Sequence, residues 1–139
     1  MTERTLEGKV ALVTGGSEGI GFSIAKSLAA EGASIVLVAR NEEKLRSAHA
    51  KLPAGNHLYI SADVGNAAQV EDAVAAVVDR YGTVNILVNN AGSAPLDYLR
   101  NLAPDTLRNT LHTNLLGPLF FYRAVAPIFT KQHAGVVVD

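Results

Sequence analysis

Short apolar runs alternate with stretches of helical period along the whole chain. Lys9-Val10-Ala11-Leu12-Val13-Thr14 is nearly continuous in apolar residues, the pattern of a strand buried on both faces. Glycines follow at 15, 16, 19 and 21. Ile20, Ile24 and Leu28 then fall at i, i+4 and i+8, a helical stripe that ends at Gly32. Ser34 to Ala39 reads as a second strand, and Asn41 is placed to cap a helix running to about Lys51, broken by Pro53 to Asn56. Leu58 to Ser61 is a third, weaker strand ending at Asp63. Asn66 and Gln69 have capping-box spacing before a helical face of Val70, Ala73, Val74, Val77, Val78 and Tyr81, which Gly82 stops. Asn85 to Val88 is a fourth strand. After Gly92 comes a loop, then a long helical stretch from about Pro104 to Lys131, with Leu107, Leu111, Leu115, Leu119 and Tyr122 on one face. Val136 to Val138 begins a fifth strand.

Successive βαβ units imply an α/β fold with a parallel sheet and right-handed crossovers. The two halves echo each other weakly, VALVTGG against NILVNNAG, as a doubly wound fold predicts. No linker or low-complexity segment interrupts the pattern. The 139 residues are one ordinary domain by length, 48% hydrophobic and only 18% charged, which fits a sheet covered on both faces and excludes disorder for the bulk of the chain. With 12 Lys+Arg against 13 Asp+Glu there is no electrostatic footprint for nucleic acid and no basic run for a membrane surface. Zero cysteines exclude disulfides, thiolate metal sites and a Cys nucleophile. No apolar run approaches the roughly 20 residues of a membrane helix, and Met1 to Lys9 has no signal-peptide core, so a cytoplasmic protein is expected.

The first chemical signal lies between the first strand and the first helix, at Thr14-Gly15-Gly16-Ser17-Glu18-Gly19-Ile20-Gly21. Glycine at 15 permits a tight turn, and Gly19 and Gly21 let backbone approach a pyrophosphate whose charge sits on the N–H groups of the helix start. The spacing, G-x-x-x-G-x-G, is neither the usual G-x-G-x-x-G nor a P-loop, since no Gly-Lys-Ser/Thr follows. The bland alternative is a turn that only packs strand on helix.

Together with Asp63-Val64 after the third strand, Asn89-Asn90-Ala91-Gly92 after the fourth and Asn114-Leu115-Leu116-Gly117 in the long helix, this segment resembles the short-chain dehydrogenase/reductases of the classical type. The resemblance runs from about Glu7 to the last residue, in the family's order. It implies a Rossmann fold with strand order 3-2-1-4-5, a nicotinamide dinucleotide, and hydride transfer between alcohol and carbonyl. On it, Gly15, Ser17, Glu18, Gly19, Ile20 and Gly21 would contact the cofactor. Asp63 would hold the adenine amino group, with Val64 on the ring, and Asn90, Ala91 and Gly92 would line the nicotinamide-side ribose. The bland alternative for Asp63 is a strand-end turn residue, and for Asn89 a tie between strands.

An acid about 20 residues past the glycines usually holds the ribose 2′-hydroxyl of NAD. Here that place is Ala39, followed by Arg40, whose planar guanidinium suits a 2′-phosphate; in the family that pattern points to NADP in preference to NAD. Glu18 departs from it, because many NADP-using relatives carry a basic residue there. The alternative for Arg40 is a solvated loop residue.

Asn114 lies on the apolar side of the long helix, and Pro118, four residues on, has no N–H for the Asn114 carbonyl. That carbonyl is freed for a water. In the family the matching Asn shapes a kink and anchors a water in the proton relay; the alternative is a helix-bend residue without chemistry. The family's Tyr, the Lys four residues after it and a Ser just beyond the fifth strand are not found. Tyrosines 59, 81, 98 and 122 are followed four residues on by Asp63, Asn85, Leu102 and Ala126, and Ser61 and Ser93 sit elsewhere in the pattern. His49, His57, His112 and His133 have no metal-ligand spacing, and Glu42-Glu43 opens a helix as ordinary dipole partners.

Two functions from different classes stay open. One is the NADP-binding Rossmann domain of an oxidoreductase, residues 1–139 being incomplete at the C-terminal end and stopping before the later strands. Its substrate would be a small alcohol or carbonyl compound, once the missing half is supplied. The other is a non-catalytic NADP-binding module acting as sensor or interaction partner. With a fifth strand bare at the sheet edge, a homo-oligomer is expected.

Overall fold

The computed structural model describes residues 3–139. The chain runs β1 (Val10–Thr14), α1 (Gly19–Ala30), β2 (Ser34–Ala39), α2 (Glu42–Ala50), β3 (Leu58–Ser61), α3 (Ala67–Tyr81), β4 (Ile86–Val88), a single 3-10 turn (Leu99–Asn101), α4 (Pro104–Leu111), a π-turn (His112–Leu116), α5 (Gly117–Gln132) and β5 (Val136–Val138). The five strands are parallel in the order β3-β2-β1-β4-β5, the order the motifs imply.

Alternation along the strands sorts the core into two layers. Ala11, Val13, Ile35 and Leu37 point to one face, where α1 and α2 cover them with Ala25, Ala29, Leu45 and Ala48. Val10, Leu12, Val36, Val38 and Leu87 point to the other, under Val70, Ala73, Val74 and Val77 of α3 and Phe121 and Val125 of α5. β1, central and buried at all five positions, reads as an unbroken apolar run for that reason. No helix among the described residues is long and apolar enough to cross a membrane.

Three details differ from the sequence pattern. In α1 the face against the sheet is Gly21, Ala25 and Ala29, while Ile24 and Leu28 are half-buried and Ile20 is 74% exposed. In α5 the inward face is Gly117, Phe121 and Val125, and Leu111, Leu115 and Leu119 are 58%, 55% and 50% exposed. At Gly117 the approach is close: a Cβ there would stand 3.0 Å from Val64 Cγ2 and 3.2 Å from its carbonyl oxygen, whereas one turn on the helix buries Phe121 completely. The third difference is the long helix itself, which runs from α4 to α5 through a π-turn before Pro118, with Gly117 N–H reaching back to the His112 carbonyl.

Asn41 and Asn66 cap α2 and α3 through bonds to the N–H groups of Lys44 (2.9 Å) and Gln69 (3.1 Å). The Gln69 side chain does not close the box on Asn66; it accepts from the N–H of Asp63 at 2.8 Å, tying the β3–α3 loop to the helix.

His57 has a structural task that its position in the sequence does not announce. Its Nδ1 accepts from the Ile35 N–H at 3.0 Å and its Nε2 faces the Pro53 carbonyl at 2.9 Å, so the ring is a neutral Nε2–H tautomer clamping the start of β2. Burial, ahead of the opposing Pro53 hydrogen bond and the lowering effect of His49, holds its pKa below the ordinary histidine value of 6.5. Between these two values the unfolded chain binds more protons than the folded one, so stability rises with pH there. The contribution is complete above the unfolded value and is lost as pH falls through the folded one. Denaturant midpoints measured from about pH 7.5 down to about pH 5 will therefore decline, and His57→Gln will flatten that decline. An unchanged slope in the variant would assign the acid sensitivity elsewhere.

Candidate functional site

The C-terminal ends of the first four strands open onto one cleft of about 340 Å³, beside the point where the strand order turns from β1 to β4. Its wall is built from Gly15, Ser17 and Glu18 after β1, Ala39, Arg40, Asn41 and Lys44 after β2, and Ala62, Asp63 and Val64 after β3. Asn90, Ala91, Gly92 and Ser93 after β4 complete it, with Thr113 from the π-turn.

Thr14 registers the two central loops. It is the buried polar residue of the core, 2% exposed. Its hydroxyl accepts from the N–H groups of Asn90 and Ala91, both at 3.0 Å, and donates to the Val88 carbonyl at 3.4 Å. The Asn90 amide donates in turn to the Gly15 carbonyl at 3.3 Å. The loops then lie so close that a Cβ on Gly15, which has φ +62°, would stand 2.9 Å from both Ala91 Cα and Asn90 Nδ2. Gly21 is held the same way: a Cβ there would collide with the Gly15 carbonyl and the Asn90 amide. Its lack of a side chain serves packing between protein segments, whereas Gly19, at φ +58°, has open space around it. Ile20 beside it projects into solvent.

Unlike α2 and α3, α1 begins without a side-chain cap; Glu18 occupies the N-cap position and makes no cap bond. Its carboxylate turns instead to Lys44, with Nζ at 3.2 Å from Oε1 and 3.1 Å from Oε2. The helix start, with no acidic residue in its first turn, carries a partial positive charge beside the cleft.

On the far side Arg40 is exposed and takes part in none of the three ion pairs among the described residues. Its carbonyl is held by the Ser61 hydroxyl at 2.9 Å, which fixes the backbone where β2 ends. Asp63 does serve as a turn residue, its Oδ1 accepting from the Gly65 N–H at 2.9 Å, and it lines the cleft as well. The Val64 side chain is buried against Gly117.

Asn114 is exposed rather than set in an apolar face. Its side chain pairs with one residue of the β4 loop at two points: Oδ1 accepts from the Ser93 N–H at 2.8 Å, and Nδ2 donates to the Ser93 carbonyl at 2.7 Å. The helix bend and the loop after Gly92 are thereby locked together. A second cleft of about 400 Å³ adjoins this junction, lined by Asn89, Ala91, Gly92, Asn114, Leu115, Pro118, Leu119, Tyr122 and Asp139. Asn89 ties the sheet there, donating through its backbone N–H to the Val138 carbonyl at 2.8 Å and through its amide to Asp139 at 2.9 Å. The Tyr122 phenol donates to Asp139. That bond raises the Tyr122 pKa and lowers that of Asp139, the opposite of what a tyrosine general base needs.

The loops thus bring Gly15, Ser17, Glu18, Arg40, Asp63, Val64, Asn90, Ala91 and Gly92 to one cleft, with Gly21 packed behind it. Gly19 and Ile20 do not line it and belong to an apolar face of α1, and Asn114 borders the neighbouring cleft. Sequence reasoning passed over Thr14, Ser93 and Lys44. A hydroxyl ending an otherwise apolar buried strand was a readable signal for Thr14, but nothing in the spacing links Lys44 to Glu18 across 26 residues.

Comparison with known proteins agrees with this architecture. Residues 9–139 match the family described as short chain dehydrogenase. The chain is 37% identical over 131 residues to an uncharacterized oxidoreductase of Staphylococcus epidermidis, covering 94% of this chain and 56% of that protein. Among solved structures, a metagenomic short-chain oxidoreductase in complex with NADP superposes with a TM-score of 0.91 at 32% identity, covering 95% of this chain and 61% of that one. NAD+-bound xylitol dehydrogenase superposes with a TM-score of 0.90 at 30% identity, covering 96% and 52%. The chain spans about half the length of the curated relatives it matches. With a Rossmann-like parallel sheet, a glycine loop at its switch point and the family match across nearly all of its length, the chain belongs to the short-chain dehydrogenase/reductases.

Proposed function

We propose that residues 1–139 are the NADP(H)-binding part of an oxidoreductase that moves a hydride between the nicotinamide and an alcohol or carbonyl compound. The observation that carries the reading is the cleft itself. A glycine turn at Gly15, packed tightly on the β4 loop, lies beside an uncapped helix start, and an exposed guanidinium stands at the end of β2. A dinucleotide fits that set: pyrophosphate oxygens at Ser17, Gly19 and Ile20, with adenine by Asp63 and Val64. The ribose nearer the nicotinamide would lie along Asn90, Ala91 and Gly92. Bound NADPH would supply the hydride.

The choice of NADP over NAD rests on charge. Ala39 offers no carboxylate to a 2′-hydroxyl, and Arg40 offers a planar donor fork to a phosphate. Asn114 is assigned to positioning: its side chain holds Ser93, and its carbonyl, which the proline N of Pro118 cannot satisfy, is an acceptor for a relay water. No tyrosine in the chain has a lysine four residues on, so the proton-transfer pair of the family has to come from outside these residues. We assign the exposed edge of β5 and the leucine line of α4 and α5 to self-association, since Val136, Leu111 and Leu115 are all more than half exposed.

Three outcomes follow from this assignment. Arg40→Ala weakens NADPH binding by about 10-fold and NADH by less than about twofold in fluorescence titrations; equal losses remove the case for NADP. The purified 139-residue chain binds NADPH weakly and shows no carbonyl-dependent oxidation of it; turnover at a rate indifferent to Asn114→Ala would overturn the assignment of roles. In light scattering at high concentration the chain is larger than a monomer, and a monodisperse monomer would refute the assigned surface.

A further inference from the structure

Glu18 places a carboxylate on the wall of the cleft that Arg40 also lines, and the structure shows how that charge is met. Lys44 lies in the first turn of α2, its N–H held by the Asn41 cap, so its Cα is fixed just after Arg40. Its ammonium lies within 3.2 Å of both Glu18 oxygens, and Glu18, Arg40, Asn41 and Lys44 all line the same cleft. The pair is open to water, the two side chains being 54% and 68% exposed, and such pairs are weak and readily shared.

We propose that Lys44 is a second cationic contact for the 2′-phosphate of NADP(H), and that Glu18 is the counter-ion from which the phosphate draws it. The inference rests on the NADP(H) reading above and assigns the strength of its selectivity. Arg40, Lys44 and Glu18 together carry +1, which favours a dianionic phosphate over a hydroxyl, while the Asp63 carboxylate on the same wall is engaged by the Gly65 N–H. Removing Lys44 sets Arg40 against Glu18 and leaves no net charge. Neutralising Glu18 raises the charge to +2. Removing both charges restores +1, carried by Arg40 alone. Selectivity for the 2′-phosphate is therefore tuned by a pair of residues on α1 and α2, separate from the Arg40 that ends β2.

The test uses calorimetric titration of the chain with 2′,5′-ADP and with AMP, which differ only in the 2′-phosphate. Lys44→Met weakens 2′,5′-ADP by about 5-fold to 10-fold and AMP by less than about twofold, while Lys44→Arg retains the selectivity. Glu18→Gln tightens 2′,5′-ADP by about threefold and leaves AMP near its original value. The double variant Glu18→Gln/Lys44→Met returns towards the original ratio. If the pair only braces α1 against α2, its loss lowers the melting temperature and shifts both ligands alike, and the proposal falls. If Arg40→Ala abolishes the ratio while Lys44→Met and Glu18→Gln leave it unchanged, the NADP(H) reading stands and the role of Lys44 is refuted. If the unaltered chain does not distinguish 2′,5′-ADP from AMP, both are refuted.

Discussion

One hydroxyl sets the distance between the two halves of the cleft. Thr14 ends the central strand, and its Oγ1 gathers the Asn90 and Ala91 N–H groups while reaching the Val88 carbonyl. Buried in an apolar sheet, that oxygen would be costly if unpaired, by about 1–3 kcal/mol, so its bonds hold the β1 and β4 loops in a single relation. The glycine requirement at 15 and 21 follows from the resulting closeness, because neither loop can retreat to admit a Cβ. The cleft is thus a consequence of how β1 and β4 are joined rather than of any one loop.

The same closeness orders the helices. α1 presents Gly21, Ala25 and Ala29 to the sheet, and α5 presents Gly117 where it crosses Val64. Phe121 and Val125 of α5 are buried beneath the sheet, while Ile20, Leu115 and Leu119 stand in solvent. The π-turn before Pro118 belongs to this arrangement: Gly65, opposite it, leaves a Cβ only 3.0 Å from that of His112. Bend, glycine and loop are fitted to each other, and Asn114 clamps the result to Ser93.

The strands and the glycine loop were legible in the chain because each is a local pattern, a buried run or a turn chemistry, whereas the strand order was implied by the family resemblance. Helix position was legible too, but helix orientation was misread twice. Hydrophobic periodicity finds an apolar stripe, but α1 meets the sheet through Gly21, Ala25 and Ala29 with Ile24 and Leu28 flanking, and α5 meets it through Gly117, Phe121 and Val125. Tertiary charge pairing was beyond reach for a different reason. Glu18 and Lys44 lie 26 residues apart and meet only because β1 and β2 are neighbours in the sheet. His57 likewise became a strand clamp through a contact 22 residues away, with nothing in its surroundings to mark it.

The two helical glycines at 21 and 117 carry a lesson for anyone trying to make this chain more robust. Glycine inside a helix costs about 1 kcal/mol relative to alanine, and exchanging it is a standard route to thermostability. Here an exchange at Gly21 would drive a methyl into the Gly15 carbonyl and Asn90 amide, and one at Gly117 would crowd Val64, whose Cγ2 would lie 3.0 Å from the new Cβ. Helix propensity has been surrendered at the two places where helices meet the walls of the cleft. Stabilising substitutions have to be sought on surfaces remote from it, because next to the cleft the ideal helix and the cleft's shape are incompatible.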